Sequence, residues 1–247
     1  MNSIISIVIP TFNAEVTIKN AIESVLNQTY KNIELVIVDG LSSDNTLEIV
    51  KQYSSVDNRI KYISEPDSGI YDAMNKGWKM ASGEWIHFLG ADDELLPSAI
   101  EILLKDVDSD IIYGNTILKF KTREKYQVSI PKTNKVRYRP IFCHQSCIMR
   151  KTVFFNLSGF DVGFRLLADF DLIQRAYLND YSFQYVNETI SLYSVYGQSS
   201  NTLATDLERL KICKKNKSSK WIYYYFIIYF IKKLMLIFRN RVLILNY

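Results

Sequence analysis

The chain of 247 residues predicts an α/β fold, a mostly parallel sheet flanked by helices and followed by an amphipathic helical tail. Three observations carry this. Short apolar runs alternate four times with stretches of helical spacing between Ile4 and Leu89, the pattern of a right-handed βαβ series. The first two runs stop at small polar residues, and strand tips in such open sheets are where ligands bind. The fourth stops near a carboxylate pair, Asp92 and Asp93, a grouping that suits a divalent cation holding a phosphate-bearing substrate.

Taken in order, Ile4 to Ile9 is a β-branched run stopped by Pro10, as expected of a strand covered on both faces. Ile18, Ala21, Ile22, Val25 and Leu26 then recur at helical spacing, and Ile33 to Val38 is a second buried strand ended by Asp39-Gly40. Asp44 reads as the N-cap of a helix through about Tyr53. Ile60 to Ser64 is a shorter strand. Ile70, Ala73, Met74, Gly77, Trp78 and Ala81 make one face of the next helix, with Gly83 as its stop, and Glu84 to Leu89 is the fourth strand. Beyond Leu95 the pattern loosens. Ile111 to Tyr113 and Ile117 to Phe120 read as two strands, a basic stretch runs to Arg139, Cys143 to Met149 reads as a strand, and Leu167 to Leu178 as a helix. From about Thr202 the chain reads as a terminal helix or helix pair.

Composition narrows the function. Hydrophobic content of 48% and charged content of 23% are those of a globular protein with ample core, holding one large domain or two small ones. A net charge of +4 gives little weight to a nucleic-acid role. The three cysteines are too few for a disulfide framework, and Cys143, His144 and Cys147 lack a fourth zinc ligand nearby, so they read as buried thiols. The N-terminus runs straight into a strand pattern without a charged leader or apolar signal region, which predicts the cytoplasm or its membrane face. No G-x-G-x-x-G follows the first strand and no G-x-x-x-x-G-K-[ST] occurs, so dehydrogenase and P-loop readings lose most of their weight. Asp39, at the tip of an apolar strand, is instead an acceptor within reach of a base or ribose.

Four motifs stand in order: Ile7 to Asn13 (IVIPTFN); Val38-Asp39-Gly40 with Ser42 to Thr46; Gly69 to Gly77 (GIYDAMNKG); and Phe88 to Asp93 (FLGADD). Downstream, Gly159-Phe160-Asp161 leads to Ala168-Asp169-Phe170-Asp171-Leu172 and Arg175. Together, over residues 4 to about 200, these resemble the family 2 glycosyltransferases with their GT-A fold, a Rossmann-like nucleotide-sugar-binding layer. The resemblance implies an inverting glycosyltransferase moving a hexosyl or N-acetylhexosaminyl group from a nucleotide sugar, most often a UDP-sugar, with Mn²⁺ or Mg²⁺ as cofactor. Pro10, Thr11, Asn13 and Asp39 would line the nucleoside pocket, and Asp67, Gly69 and Asp72 would face the nucleotide and sugar. Asp92 would ligate the metal, while Asp93 would hydrogen-bond the donor sugar. Gly90 stands where the usual D-x-D motif has its first carboxylate, a departure from the pattern. Asp169 would be the general base, since direct displacement at the anomeric carbon needs a group to take the acceptor hydroxyl's proton. Asp171 is the hedge for that role, or a partner of Arg175. His144, in a His-Gln pair common in the family, is a candidate contact to acceptor or diphosphate. Tyr196 to Ser200 resembles a flexible loop that closes over the donor.

Trp221 to Tyr247 opens with eleven apolar residues, too few to span a bilayer, and continues with Lys232, Lys233, Arg239 and Arg241. This composition suits a helix lying in a membrane interface, with a helix packed on the core or a dimer contact as the alternative. The expected organisation is a GT-A domain over 1–200, with a nucleotide-sugar half (1–95) and an acceptor half (96–200), and a membrane-associating tail over 201–247. A glycosyltransferase peripheral on the inner face of the cell membrane implies a polyprenyl-diphosphate-linked saccharide acceptor, as in bacterial surface-polysaccharide synthesis (O-antigen, capsule or exopolysaccharide). A nucleotidyltransferase and a catalytically silent nucleotide-binding scaffold are the alternatives.

Overall fold

Strand β1 (Ile5–Thr11) is buried along its whole length, as a nearly unbroken apolar run requires. The computed structural model describes residues 3–120, 126–129, 136–137, 139–195, 203–218, 227 and 230–231. Helix α1 (Ile18–Leu26), β2 (Ile33–Asp39), α2 (Thr46–Val56), β3 (Ile60–Ser64), α3 (Ile70–Met80) and β4 (Trp85–Phe88) complete the expected series. There follow β5 (Glu94–Leu95), α4 (Ala99–Leu103), β6 (Ile111–Lys119), β7 (Tyr126–Ser129), a 3-10 turn (His144–Ser146), β8 (Cys147–Arg150), α5 (Lys151–Asn156), α6 (Ala168–Leu178), β9 (Phe183–Ser194) and α7 (Leu203–Lys215).

One sheet runs β3-β2-β1-β4-β8-β6-β9-β5, with β7 paired to β6. β3, β2, β1 and β4 are mutually parallel, and β8 then runs antiparallel between β4 and β6. Alternation along β1 feeds two cores. Val8 joins Tyr71, Met74, Trp78, Phe154, Phe170 and Leu172 on one face, whereas Ile5, Ile7 and Ile9 join Ile18, Ile22, Val50 and Ile100 on the other. Helix α3 lies close on the sheet because of Gly77, where an added Cβ would collide with the Val8 side chain.

Several sequence expectations are corrected in detail. Pro10 does not end β1. It pairs with Val38 on one side, and the β4 ladder on the other side stops at Val8, so no bond needs its missing N–H. Helix α2 starts at Thr46 with Asn45 at the N-cap, while Asp44 accepts from the Thr46 N–H (3.0 Å) and the Glu15 N–H (3.1 Å), tying two loops together. Ile70 is exposed and Tyr71 takes the buried phase of α3. Gly83 lies past the helix end, where a Cβ would strike the backbone of Ile4 and Ser6. The two strands expected over 111–120 are one, β6, broken only by a register shift against β9 around Gly114. His144 to Ser146 form the 3-10 turn, so β8 begins only at Cys147. Cys147 and Cys213 are buried thiols, raised by burial.

The segment expected to form a separate tail begins as α7, which packs on the domain. Ile212 and Cys213 enter the core, and the Lys215 and Asn216 side chains donate to Asp171 at 3.1 and 3.0 Å. Most of Trp221 to Tyr247 and the loop Tyr196 to Ser200 lie outside the described residues. Among the described residues, no helix is long and apolar enough to cross a membrane.

Near the start of β2, Glu34 joins four segments of the sheet. It accepts from Ser6 on β1, Lys61 on β3 (2.5 Å), and the N–H (2.7 Å) and hydroxyl (2.8 Å) of Ser82. Burial pushes its carboxyl up, yet Lys61, Ser6 and Ser82 outweigh that and hold it at about 2. A depressed carboxyl contributes stability that is present above its unfolded value and lost as pH falls towards the folded one. Between pH 6 and pH 3, wild-type unfolding free energy should therefore fall about 2 kcal/mol further than that of Glu34→Gln. Denaturant titrations at the two pH values check this; equal slopes would remove Glu34 from the account.

Candidate active site

The carboxyl ends of β1, β2 and β4 bring the N-terminal motifs to one edge of the sheet. After Pro10 and Thr11, Asn13 adopts a left-handed φ of 48°. Its side-chain oxygen accepts from the Ser43 N–H at 2.8 Å, and its own N–H donates to Ser42 Oγ at 2.9 Å. The loops after β1 and β2 are thus laced together. Asp39 stands at the tip of β2 as expected, but its side chain turns inward. The residue is fully buried and accepts from the Ser42 N–H (3.2 Å) and from the Ser64 hydroxyl (2.6 Å), so it orders the loop. Thr11 Oγ1, beside it in register, is buried without a partner among the described residues.

Asp67 reaches over Gly40, where any Cβ would meet its carboxylate, and its other oxygen accepts from the Gly69 N–H at 2.9 Å. Gly69 is needed here because its φ is +131°, a region closed to side-chain-bearing residues. Asp72 accepts from the Ser68 N–H at 3.0 Å and leads the first turn of α3. Phe12 and Leu41 are exposed at this edge.

Behind β4, the chain turns through Gly90 to Asp92 and Asp93. Asp92 is exposed, and Asp93 is 1% exposed. One Asp93 oxygen accepts from the Ser194 N–H at 2.8 Å, and Ser194 Oγ donates to the Asp92 carbonyl at 2.7 Å, so the end of β9 holds the acidic turn. The other oxygen, Oδ2, is buried with no partner among the described residues. It points at the space above Gly90: a Cβ built there would overlap Asp93 Oδ2 and lie 3.0 Å from Asp92 Oδ1. The two carboxylates therefore converge on the volume that a side chain at position 90 would fill. Burial first, and then the Asp92 charge, push the Asp93 carboxyl up to about 7, against the Ser194 N–H and the Gln145 side chain. A cation above Gly90 would satisfy the orphaned oxygen and relieve the repulsion, so the residues present fit one. Among the described residues no group of three or more His, Cys, Asp and Glu side chains forms a larger cluster.

Asp169 occupies the first turn of α6. Its Oδ1 accepts from the Phe170 N–H at 2.8 Å and from the Tyr71 hydroxyl at 3.0 Å, and its Oδ2 lies 3.2 Å from His144 Nδ1. Burial acts to raise this carboxyl, but His144, the Phe170 N–H and Tyr71 prevail and hold it below the usual carboxylate range. Tyr71 is driven well above its ordinary value by burial and the Asp169 charge, so it remains a neutral donor. An apolar pocket of about 10 Å³, lined by Phe88, Phe154, Phe160 and Ile173, backs His144 and Asp169. That is scarcely room for one water.

Asp171 is not brought to this site. It is fully buried and accepts from Arg175 (2.8 Å), Lys215 (3.1 Å) and Asn216 (3.0 Å), which makes it an internal tie between α6 and α7. The sequence reading did not assign Gln145, Ser194, Tyr71 or Asn75. Asn75 reads the backbone of Phe160 in both directions, donating to its carbonyl at 2.8 Å and accepting from its N–H at 2.9 Å, and so pins the approach to Asp169 against α3. The only local sign was a polar residue inside an otherwise well-phased helix.

The family model described as Glycosyl transferase family 2 matches residues 6–167. A PGL/p-HBAD biosynthesis glycosyltransferase of Mycobacterium tuberculosis (strain H37Rv) is 32% identical over 213 residues, 83% of this chain and 82% of that protein. A GalNAc(5)-diNAcBac-PP-undecaprenol beta-1,3-glucosyltransferase of Campylobacter jejuni is 35% identical over 119 residues, 47% of this chain and 38% of its own length. Among solved structures, S. aureus TarS 1-349 in complex with UDP-GlcNAc aligns at a TM-score of 0.68 with 18% identity, over 86% of this chain and 66% of that one. The mannosyltransferase PcManGT of Pyrobaculum calidifontis, in complex with GDP-Man and Mn²⁺, aligns at 0.63 with 17% identity, over 86% of this chain and 62% of its own. At these identities the structural likeness concerns the fold, which is GT-A.

Proposed function

Because the chain belongs to the family 2 glycosyltransferases, we propose that it transfers a hexosyl or N-acetylhexosaminyl group, with inversion, from a UDP-sugar to a polyprenyl-diphosphate-linked saccharide. The observation that carries this reading is the setting of Asp169. It is a single ionised carboxylate, held on one oxygen by the Phe170 N–H and the Tyr71 hydroxyl and, among the described residues, hydrogen-bonded on the other to His144. Such a group takes the proton of an attacking hydroxyl in one displacement at the anomeric carbon. His144 sits on the proton-accepting oxygen and steadies the carboxylate as it changes charge.

Asp92 and Asp93 are the residues to hold Mn²⁺ or Mg²⁺, which when bound neutralises the departing diphosphate. Asp92 and Asp93 would supply it with two carboxylates. Asp93, expected to reach the sugar, is read instead as the second of these two, since its free oxygen shares the space above Gly90 with Asp92. Asp67, Gly69 and Asp72 form the donor-facing turn, and Pro10, Thr11 and Asn13 the nucleoside wall. Asp39 supports that wall from within. A lipid-linked acceptor is favoured by the Campylobacter relative, whose name specifies one. It also suits a membrane-surface role for the aromatic and basic segment after residue 218, on the inner face of the membrane.

Release of nucleotide from a panel of UDP-sugars, with and without a synthetic polyprenyl-diphosphate saccharide, tests the reading. UDP release that depends on acceptor and on Mn²⁺, and stops with EDTA, is expected. Diphosphate release would instead indicate a nucleotidyltransferase, and UDP binding without turnover of any donor a silent scaffold.

A further inference from the structure

We propose that Tyr71 is a positioning residue for Asp169, fixing which carboxylate oxygen meets the acceptor. The inference rests on the reading of Asp169 as the base, and it is independent of the metal.

Tyr71 stands in the first turn of α3, directly after the donor-facing turn at Gly69. It is 7% exposed, and its ring packs on Phe160 with centroids 5.5 Å apart. The hydroxyl is shared between two acceptors contributed by the other half of the chain, Asp169 Oδ1 at 3.0 Å and the Leu166 carbonyl at 3.1 Å. With the Phe170 N–H on the same Oδ1, that oxygen is occupied by donors of fixed direction. Among the described residues Oδ2 has His144, at a longer 3.2 Å, and keeps lone-pair capacity to spare for an incoming proton. A carboxylate free to rotate about its terminal torsion would present either oxygen, because that torsion is soft. Two donors on one oxygen remove that freedom.

The segment that carries Leu166 is itself held. Glu208 on α7 accepts from the N–H groups of Arg165 and Leu166, both at 2.7 Å. Asn75, one turn along α3 from Tyr71, holds Phe160 at the start of the same segment. The first turn of α3 is therefore in register with the base on one side and with the donor turn on the other. The titratable groups around Asp169 are Tyr71 from α3, His144 and Cys143 from the turn before β8, and, behind Tyr71, Glu208 from α7.

Tyr71→Phe removes only the hydroxyl and keeps the packed ring. The expected result is a fall in kcat of about 10- to 100-fold, from the loss of a hydrogen bond to a charged group. Donor KM should stay within about twofold, and melting within a few degrees, of wild type. The acid limb of the pH–kcat profile should move up by about half to one pH unit, because a donor that favours the ionised carboxylate is gone. A merely structural role would lower the melting temperature or raise donor KM without moving that limb. Unchanged kcat and an unchanged acid limb in Tyr71→Phe, with Asp169→Asn inactive, would overturn the positioning role and spare the base. Full activity in Asp169→Asn would remove both. Should Tyr71→Phe fail to fold, Glu208→Gln offers a second route. It loosens Leu166, and an acid limb that shifts up in that variant supports the proposal, while a wild-type profile counts against it.

Discussion

Asp169→Asn is expected to lower sugar transfer by about 10²- to 10⁴-fold, the range for loss of a general acid–base group. The fold should survive, since an asparagine can keep its oxygen on the Phe170 N–H and Tyr71 hydroxyl and turn its amide towards His144. Donor binding should be unchanged within about twofold, because the effect falls on the transition state. In wild type the carboxyl is held low, so Asp169 stays ionised throughout the neutral range and its own loss of activity belongs below the usual carboxylate value. Transfer assays across pH, with calorimetric donor titration of the same variant, check both points. A variant that keeps more than about a tenth of wild-type turnover would end the assignment of Asp169 as the base.

Removing the acidic pair should cost nearly as much. Asp92→Ala and Asp93→Asn are each expected to lower turnover by about 10²- to 10³-fold, the scale of lost transition-state electrostatics. The pH behaviour separates them. Asp93 titrates at about 7, and a proton competes with a cation for its free oxygen. Mn²⁺ affinity in wild type should therefore fall about tenfold per pH unit below 7 and level off above it, and Asp93→Asn should flatten that dependence. Stability carries the opposite sign. A raised carboxyl contributes stability below its unfolded value and loses it as pH rises through about 7, so without a cation the protein should melt lower at pH 8 than at pH 5. Mn²⁺ should recover the difference. Calorimetric titration and thermal melts at the two pH values read these effects directly. Cation affinity that is flat across pH in wild type would detach Asp93 from the cation.

What the sequence made legible was local. Runs such as IVIPTFN and GIYDAMNKG fix strand tips and a helix start, because apolar periodicity and turn residues act within a few positions. What it hid depends on partners far along the chain. Asp93 is governed by Ser194, about a hundred residues on, and by Gln145, in a turn that alternation alone would extend as a strand. Asp39 looked like an acceptor offered to a ligand. Only the fold reveals that Ser42 and Ser64 already occupy it. Gly90 looked like the loss of a ligand, whereas it leaves the space on which the Asp92 and Asp93 carboxylates converge. Asp171 lies two residues from Asp169 and shares its chemistry, but helical phase turns it into the interior, against Arg175 and Lys215.

The most direct test of a one-step mechanism run by Asp169 is the anomeric configuration of the product. Proton NMR of the saccharide formed from whichever UDP-sugar is turned over reads it from the coupling at the anomeric carbon. The account predicts the configuration opposite to that of the donor, and no glycosyl adduct on the protein by mass spectrometry. Retention of configuration would contradict it, since a single displacement at the anomeric carbon inverts.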